Sequence, residues 1–298
     1  MTDAVLVKPC DVLILGAGGL LGGAFTTAYR NGAVSTAGRG TLTGATQTDL
    51  YALISACSPA LVINCAADVD AEGAERDDTI ALAANVELPA NLARACHDAG
   101  VGLVQFSSTG CYGAWKETPY NDDDPLSPTT RHHRSKAMGE DAVRAAGGEH
   151  LIVRTGWLFG GAPGRPRNFV WQRMIEADRS ARLVCDGVQR GCPTNVEDVA
   201  SQVIKAWSAG VRGTVNAVAR GVATRADYVS RIVEAAQIDC RVESGPAFQR
   251  LAPVSPNETA SNARLEALGV ANMPDWRDGI DRYVGALVNS SEWKLRRA

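Results

Sequence analysis

The sequence predicts an α/β protein: a doubly wound parallel sheet followed by a smaller, less regular lobe. Three observations carry that expectation. Short β-branched runs alternate with helical stretches through the first half of the chain. A glycine-rich turn joins the first of those runs to the first helix. After Gly156 the alternation weakens into short strands and isolated helices. With 298 residues, 45% hydrophobic and 21% charged, the chain has material for a large core, which excludes disorder, collagen and coiled coil.

Residues 12–15 form an apolar run and read as the first strand, 20–29 as a helix and 33–37 as the second strand. Residues 61–64 are a four-residue apolar strand bounded by Pro59 and by the small residues Cys65, Ala66 and Ala67. A helix over 81–99 should bend near Pro89 and end at Gly100, with a strand at 101–107. Residues 120–130 hold three acids and two prolines and read as a polar loop, before a helix at 130–146 and a strand at 151–155. Residues 160–167, rich in Gly, Pro and Arg, suit a loop over a site. Helices are expected at 197–209, returning to the first domain, and at 225–236. The expected division is a cofactor domain over 1–155, completed by 195–220, and a substrate lobe over 156–194 and 221–298.

Thirty basic residues against 33 acidic ones leave a net charge of −3, with no basic run of the kind that a nucleic-acid binder carries. Eight cysteines, at 10, 57, 65, 96, 111, 185, 192 and 240, include no CxxC pair, so neither a metal nor a redox role is expected. Several sit in apolar runs, as the reduced thiols of a cytoplasmic protein do. No stretch reaches the ~18 apolar residues of a membrane helix. Residues 12–25 contain five glycines and lack a basic flank, so they do not read as a signal peptide.

Gly16-Ala17-Gly18-Gly19-Leu20-Leu21-Gly22 stands between strand and helix, where a nucleotide-binding turn belongs. Glycine permits the tight turn and lets backbone N–H groups approach a pyrophosphate at the positive end of the helix. An NAD site normally has an acid at the end of the second strand, for the ribose 2′-hydroxyl. This chain has none between Asp11 and Asp49, and carries Gly38-Arg39-Gly40 there instead. A guanidinium suits a 2′-phosphate, so NADP(H) is the expected cofactor, with NAD(H) the alternative.

Several segments together resemble the extended short-chain dehydrogenase/reductases, and more narrowly the dTDP-4-dehydrorhamnose reductase group of nucleotide-sugar 4-ketoreductases. They are GAGGLLG at 16–22, SPALVINCAADVDAEGAE at 58–75, NVELPANL at 85–92, FSSTGCYG at 106–113, SPTTRHHRSKAMGE at 127–140, VRTGWLFG at 153–160, NF at 168–169, VQRGCPTNVEDVA at 188–200 and MPDW at 273–276. The resemblance implies a Rossmann-type domain and a lobe that takes a nucleotide sugar, with reduction of a 4-keto deoxysugar as the reaction. A homodimer is compatible with it. For the cofactor it implies Gly16, Gly18, Gly19, Leu20, Leu21, Gly22, Arg39, Cys65, Ala66, Ala67, Asn85, Lys136 and Thr155. For the substrate it implies Trp157, Asn168, Phe169, Met174, Gln189 and Thr194.

Family catalysis uses a hydroxyl residue, a Tyr and a Lys, the last two four residues apart on one helix face. The resemblance puts the hydroxyl on Ser108 and the Lys on Lys136, but the Tyr position holds His132. His132 either replaces the phenol as general acid or marks a loss of the donor. The second reading gives a slow enzyme, an epimerase or dehydratase, or a cofactor-binding regulatory subunit like the β subunit of methionine adenosyltransferase. A nearby Lys136 ammonium should depress the imidazole pKa, so an acid role calls for a carboxylate partner. His133, about 100° around the helix, reads as solvated, and Tyr112 is a second candidate phenol. Relatives usually carry an Arg-Pro pair near the C-terminus that meets the diphosphate. Here it is Ser255-Pro256, with Arg165, Arg167 and Arg190 as other sources of positive charge.

Overall fold

The computed structural model describes residues 11–165 and 167–297. Cys10 lies outside them. In chain order the first half comprises β1 (Val12–Leu15), α1 (Leu20–Ala28), β2 (Val34–Ala37), α2 (Arg39–Leu42), α3 (Gln47–Cys57), β3 (Leu61–Asn64), α4 (Ala71–Arg76), α5 (Thr79–Leu82), α6 (Leu88–Ala99), β4 (Gly102–Ser108), α7 (Arg131–Ala145) and β5 (His150–Thr155). The second half comprises β6 (Leu158–Phe159), α8 (Phe169–Ala177), β7 (Arg182–Asp186), β8 (Arg190–Gly191), β9 (Thr194–Asn195), α9 (Val196–Ser208), β10 (Gly213–Asn216), β11 (Ala223–Thr224), α10 (Arg225–Ala235), β12 (Arg241–Gly245), α11 (Ala263–Ala267), α12 (Trp276–Val288) and α13 (Ser291–Arg297).

Six strands form one parallel sheet in the order β2-β1-β3-β4-β5-β10. β1 and β3 are buried along their whole length because helices cover both sheet faces, which is why β1 is apolar throughout and β3 is apolar up to Asn64, whose buried amide donates to Gln105. One face packs α1 and α9 through Leu21, Phe25, Val199 and Val203. The other packs α3 and α6 through Leu50, Ile54, Leu88 and Leu92. The strand order reverses between β1 and β3, and ligands of such sheets bind outside the carboxyl ends of the strands at that reversal.

The helix expected at 81–99 is three segments. α5 runs into a π turn at Ala83–Glu87, α6 follows with Pro89 in its first turn, and Gly100 closes it at φ +65°. The π turn takes up the irregularity at the proline, which has no N–H to give to the helix. α3, capped by a reciprocal Thr46–Asp49 box, is a helix beyond those that the sequence predicts. The last lobe has its own core, where α8, α10 and α12 bring together Trp171, Met174, Tyr228, Ile232, Trp276 and Ile280.

A buried polar spine ties α7 to the sheet. The Arg154 guanidinium donates to both Glu140 oxygens, at 2.9 and 2.7 Å, and to the Tyr112 hydroxyl and the Asp122 carbonyl. Burial works against ionisation of Glu140, but the Arg154 bonds and charge outweigh it and hold the carboxyl below its usual range. Among the described residues no helix is long and apolar enough to cross a membrane, and no group of His, Cys, Asp and Glu could hold a metal ion.

Without Arg154 the buried Glu140 keeps only the partly exposed Arg144 as its cation, and the Tyr112 hydroxyl and the Asp122 carbonyl lose a donor. Arg154→Met should lower the unfolding free energy by about 3–5 kcal/mol in urea denaturation, whereas a loss below about 1 kcal/mol, the range of exposed pairs, would contradict this role.

Candidate active site

The glycine turn follows β1 at the sheet's reversal point. Gly16 has φ +75°, and a Cβ there would stand 2.7 Å from the Ala66 nitrogen, so only glycine lets the turn lie against the end of β3. At Gly22 a Cβ would meet the Gly16 carbonyl oxygen at 2.3 Å. At Gly18 it would meet nothing within 4 Å, leaving open the side from which a phosphate reaches the backbone. Gly19 caps α1 without a side chain, so the first-turn N–H groups are available to an anion. The Arg165 guanidinium donates to the carbonyls of Gly18 and Gly19 and sets a positive charge on the turn. This set of donors and cations fits a dinucleotide diphosphate.

The remaining expected cofactor residues divide by position. Cys65, Ala66 and Ala67 follow β3, and Ala66 abuts Gly16. Arg39 is exposed at the start of α2, just beyond β2. Thr155 pairs in register with Ser108, and its buried Oγ1 has no partner among the described residues. Leu20 and Leu21 open α1, but the Leu21 side chain lies in the sheet core, leaving its backbone for a ligand. Asn85 corrects the expectation: its amide is spent on Asp68 and Ser135, so it pins the loop after β3 to α7.

α7 brings its candidates to the end of β4. Lys136 Nζ donates to the Phe106 carbonyl at 2.7 Å, two residues before Ser108. Ser108 Oγ accepts from the Gly110 N–H at 3.1 Å, which leaves the hydroxyl proton to donate elsewhere. His132 lies one turn before Lys136 and is 9% exposed. Its pKa falls to about 3, first through burial, then through His133 and Lys136, with Asp70 opposing. Asp70 faces Arg167 at 3.6 Å and does not outweigh these effects. An imidazolium general acid at neutral pH is therefore corrected: His132 is a neutral ring with a buried, unpartnered Nδ1 among the described residues. His133 is not solvated. Its ring is packed so tightly on Gly110 that a Cβ there would stand 2.1 Å from it. Tyr112 is no substitute phenol, because its fully buried hydroxyl is bound to Asn216 and Arg154.

The substrate expectations are met unevenly. Met174 has no exposed surface and belongs to the core of the last lobe. Thr194 is equally buried, its hydroxyl held by the Cys192 carbonyl and the Ala219 N–H. Asn168 caps α8, and its amide holds Ala162 and Tyr283. The polar groups of Asn168 and Thr194 are spent on neighbours within the fold, and Met174 is core. Phe169 stacks on Tyr228 with centroids 5.0 Å apart. Trp157, in the left-handed region at φ +48°, donates from Nε1 to Glu258 at 2.7 Å. Its ring is packed by Gly191 and by the Arg225 guanidinium, so it presents less open surface than a free platform. Gln189 lines a cavity of about 380 Å³ together with Asp186, Phe248 and Arg250. Arg225, Glu258 and this cavity gave no signal in the sequence, because α10 and the segment near 258 join only in the fold.

The model of the RmlD substrate binding domain family matches residues 10–289. The chain belongs to that family. It is 34% identical over 239 residues to the dTDP-4-dehydrorhamnose reductase of Mycobacterium tuberculosis (strain ATCC 25618 / H37Rv), covering 78% of each chain. It is 32% identical over 288 residues to the enzyme of the same name from Streptomyces griseus, covering 92% of this chain and 93% of that one. The solved dTDP-4-dehydrorhamnose reductase of Bacillus anthracis str. Ames, in complex with NADP, superposes with a TM-score of 0.88 at 22% identity, covering 93% of this chain and 99% of that one. This last likeness speaks for the fold. As a member of the RmlD family, the protein is an oxidoreductase of the extended short-chain dehydrogenase/reductase type.

Burial lowers the pKa of both His132 and His133 in this RmlD-family protein and holds the rings neutral. Unfolded, each takes up a proton near its ordinary value of about 6.5. Below that pH the unfolded chain binds more protons, so stability falls with pH, by up to about 1.4 kcal/mol per unit for each ring. For His132 the loss runs from there down to its folded pKa of about 3. Urea denaturation between about pH 5 and 7 should show this slope, and His132→Phe should remove up to one proton's worth of it. An unchanged slope would contradict the neutral ring.

Proposed function

We propose that the protein reduces a 4-keto nucleotide-activated deoxysugar of the dTDP-4-dehydrorhamnose kind, with NADPH as the preferred cofactor. The observation that carries this reading is the placement of Ser108 and the α7 pair His132 and Lys136 at the end of β4, on the same carboxyl edge of the sheet as the glycine turn after β1, with β3 between them. The reductase names of the relatives support the substrate class. The NADP complex of a structural neighbour supports a nicotinamide cofactor.

A bound NADPH supplies hydride to the carbonyl carbon. The Ser108 hydroxyl, oriented by the Gly110 N–H, donates to the carbonyl oxygen. Lys136, held by the Phe106 carbonyl, offers its other N–H groups to the nicotinamide ribose, and its charge favours the alkoxide that develops. His132 donates an N–H of its neutral ring to that oxygen, and solvent replaces the proton. A neutral imidazole can serve as such an electrophile where burial suppresses the imidazolium. The preference for NADPH rests on Arg39 and on the lack of an acid over residues 12–48. We assign 1–155 with 195–220 to the cofactor and 156–194 with 221–298 to the substrate. The pairing of β10 with β5 and the packing of α9 on α1 support that division.

Steady consumption of NADPH with dTDP-4-dehydrorhamnose tests the reaction. Turnover should show no titration of His132 near neutrality, and His132→Phe should cost on the order of 10²–10⁴ in kcat with cofactor affinity kept. Intact NADPH binding without turnover would overturn the reduction and leave a cofactor-binding protein. NADPH should bind more tightly than NADH, and Arg39→Ala should remove about 1–3 kcal/mol of that preference. Equal affinities in the parent would overturn the cofactor assignment.

A further inference from the structure

Arg225 opens α10 and is partly buried without a carboxylate to pair with. Its Nε donates to Gln189 Oε1 at 3.3 Å, and its guanidinium lies 3.4 Å from the centroid of the Trp157 ring and 5.6 Å from that of Phe169. Among the described residues no carboxylate oxygen comes within 4.0 Å of its nitrogens. Burial lowers its pKa to about 10, and Arg250 adds to the lowering, although Glu258, Tyr228 and Asp186 oppose it. A partly buried cation at the positive end of a helix, with no carboxylate partner, is an arrangement that an anion would stabilise.

Its surroundings indicate which anion. Arg225 lies on Trp157, two residues beyond Thr155, which pairs with Ser108 across β4 and β5. On its other side Gln189, Asp186 and Arg250 line the cavity of about 380 Å³. A sugar at the catalytic end and a base in the cavity would leave a diphosphate between them. The other arginines are elsewhere: Arg165 on the glycine turn, Arg167 beside Asp70, and Arg190 donating to the Glu117 carbonyl. Ser255 has no charge to offer, and its hydroxyl is engaged by the Gly113 and Asn257 carbonyls. Glu258 holds the indole on which Arg225 lies.

We infer that Arg225, with Arg250 at the cavity, holds the diphosphate of the nucleotide-sugar substrate. This rests on the reductase reading above. Calorimetric titration with dTDP, dTMP and thymidine separates the two. Arg225→Met should lose roughly tenfold to a hundredfold in dTDP affinity, less for dTMP, and nothing for thymidine or NADPH. Arg225→Lys keeps the charge without the fork and should recover part of the loss. Exposed Arg250→Ala should weaken dTDP severalfold, and it provides the reading should Arg225→Met fail to fold. Unchanged dTDP affinity in a folded Arg225→Met protein, or an equal loss for thymidine, overturns the inference and leaves the reductase reading standing. A parent that binds none of the three ligands overturns both.

Discussion

The seat of α7 against the end of the sheet is the constraint on which the site depends. Glu140 is fixed to Arg154 of β5, and Lys136 to the Phe106 carbonyl of β4. Two buried charges four residues apart thus bind one helix face to two neighbouring strands. That face carries His132 a turn before Lys136, so the register of the ion pair sets where the ring and the ammonium stand relative to Ser108. Asn85 and Gly139 complete the seat from the other side. The π turn comes so close that a Cβ on Gly139 would lie 2.1 Å from the Asn85 carbonyl oxygen.

The same burial decides the chemistry available at residue 132. A phenol there would donate a proton over the physiological range. An imidazole beside an ammonium and a second imidazole loses its charged form, and Asp70, exposed and shared with Arg167, cannot restore it. What remains is a neutral N–H donor close to a fixed cation. In such a site the ammonium carries most of the charge stabilisation, and the ring contributes direction and a proton path.

The sheet was legible because buried parallel strands leave unmistakable apolar runs: 12–15 and 61–64 match β1 and β3 to the residue. The glycine turn was equally legible, since its geometry depends on backbone positions that the sequence marks directly. Side chains whose polar groups are consumed locally were not. Asn85, Asn168 and Thr194 have the right chemistry for ligand contacts, yet each is saturated by partners distant in sequence or by a cap. The burial of His133 depends on Gly110, a residue far along the chain whose missing side chain makes room for the ring. The isolation of Arg225 from carboxylates was invisible because it appears only once α10, β8 and the segment near Glu258 meet.

The chemistry open to this site turns on the charge state of His132. Side-chain NMR of the imidazole resonances, assigned with a His132→Asn variant, reads it directly. From about pH 8 down to about pH 5 the His132 ring should stay neutral and show no midpoint near its ordinary value of about 6.5. A midpoint between about pH 6 and 7 would restore an imidazolium acid and contradict the neutral-donor site.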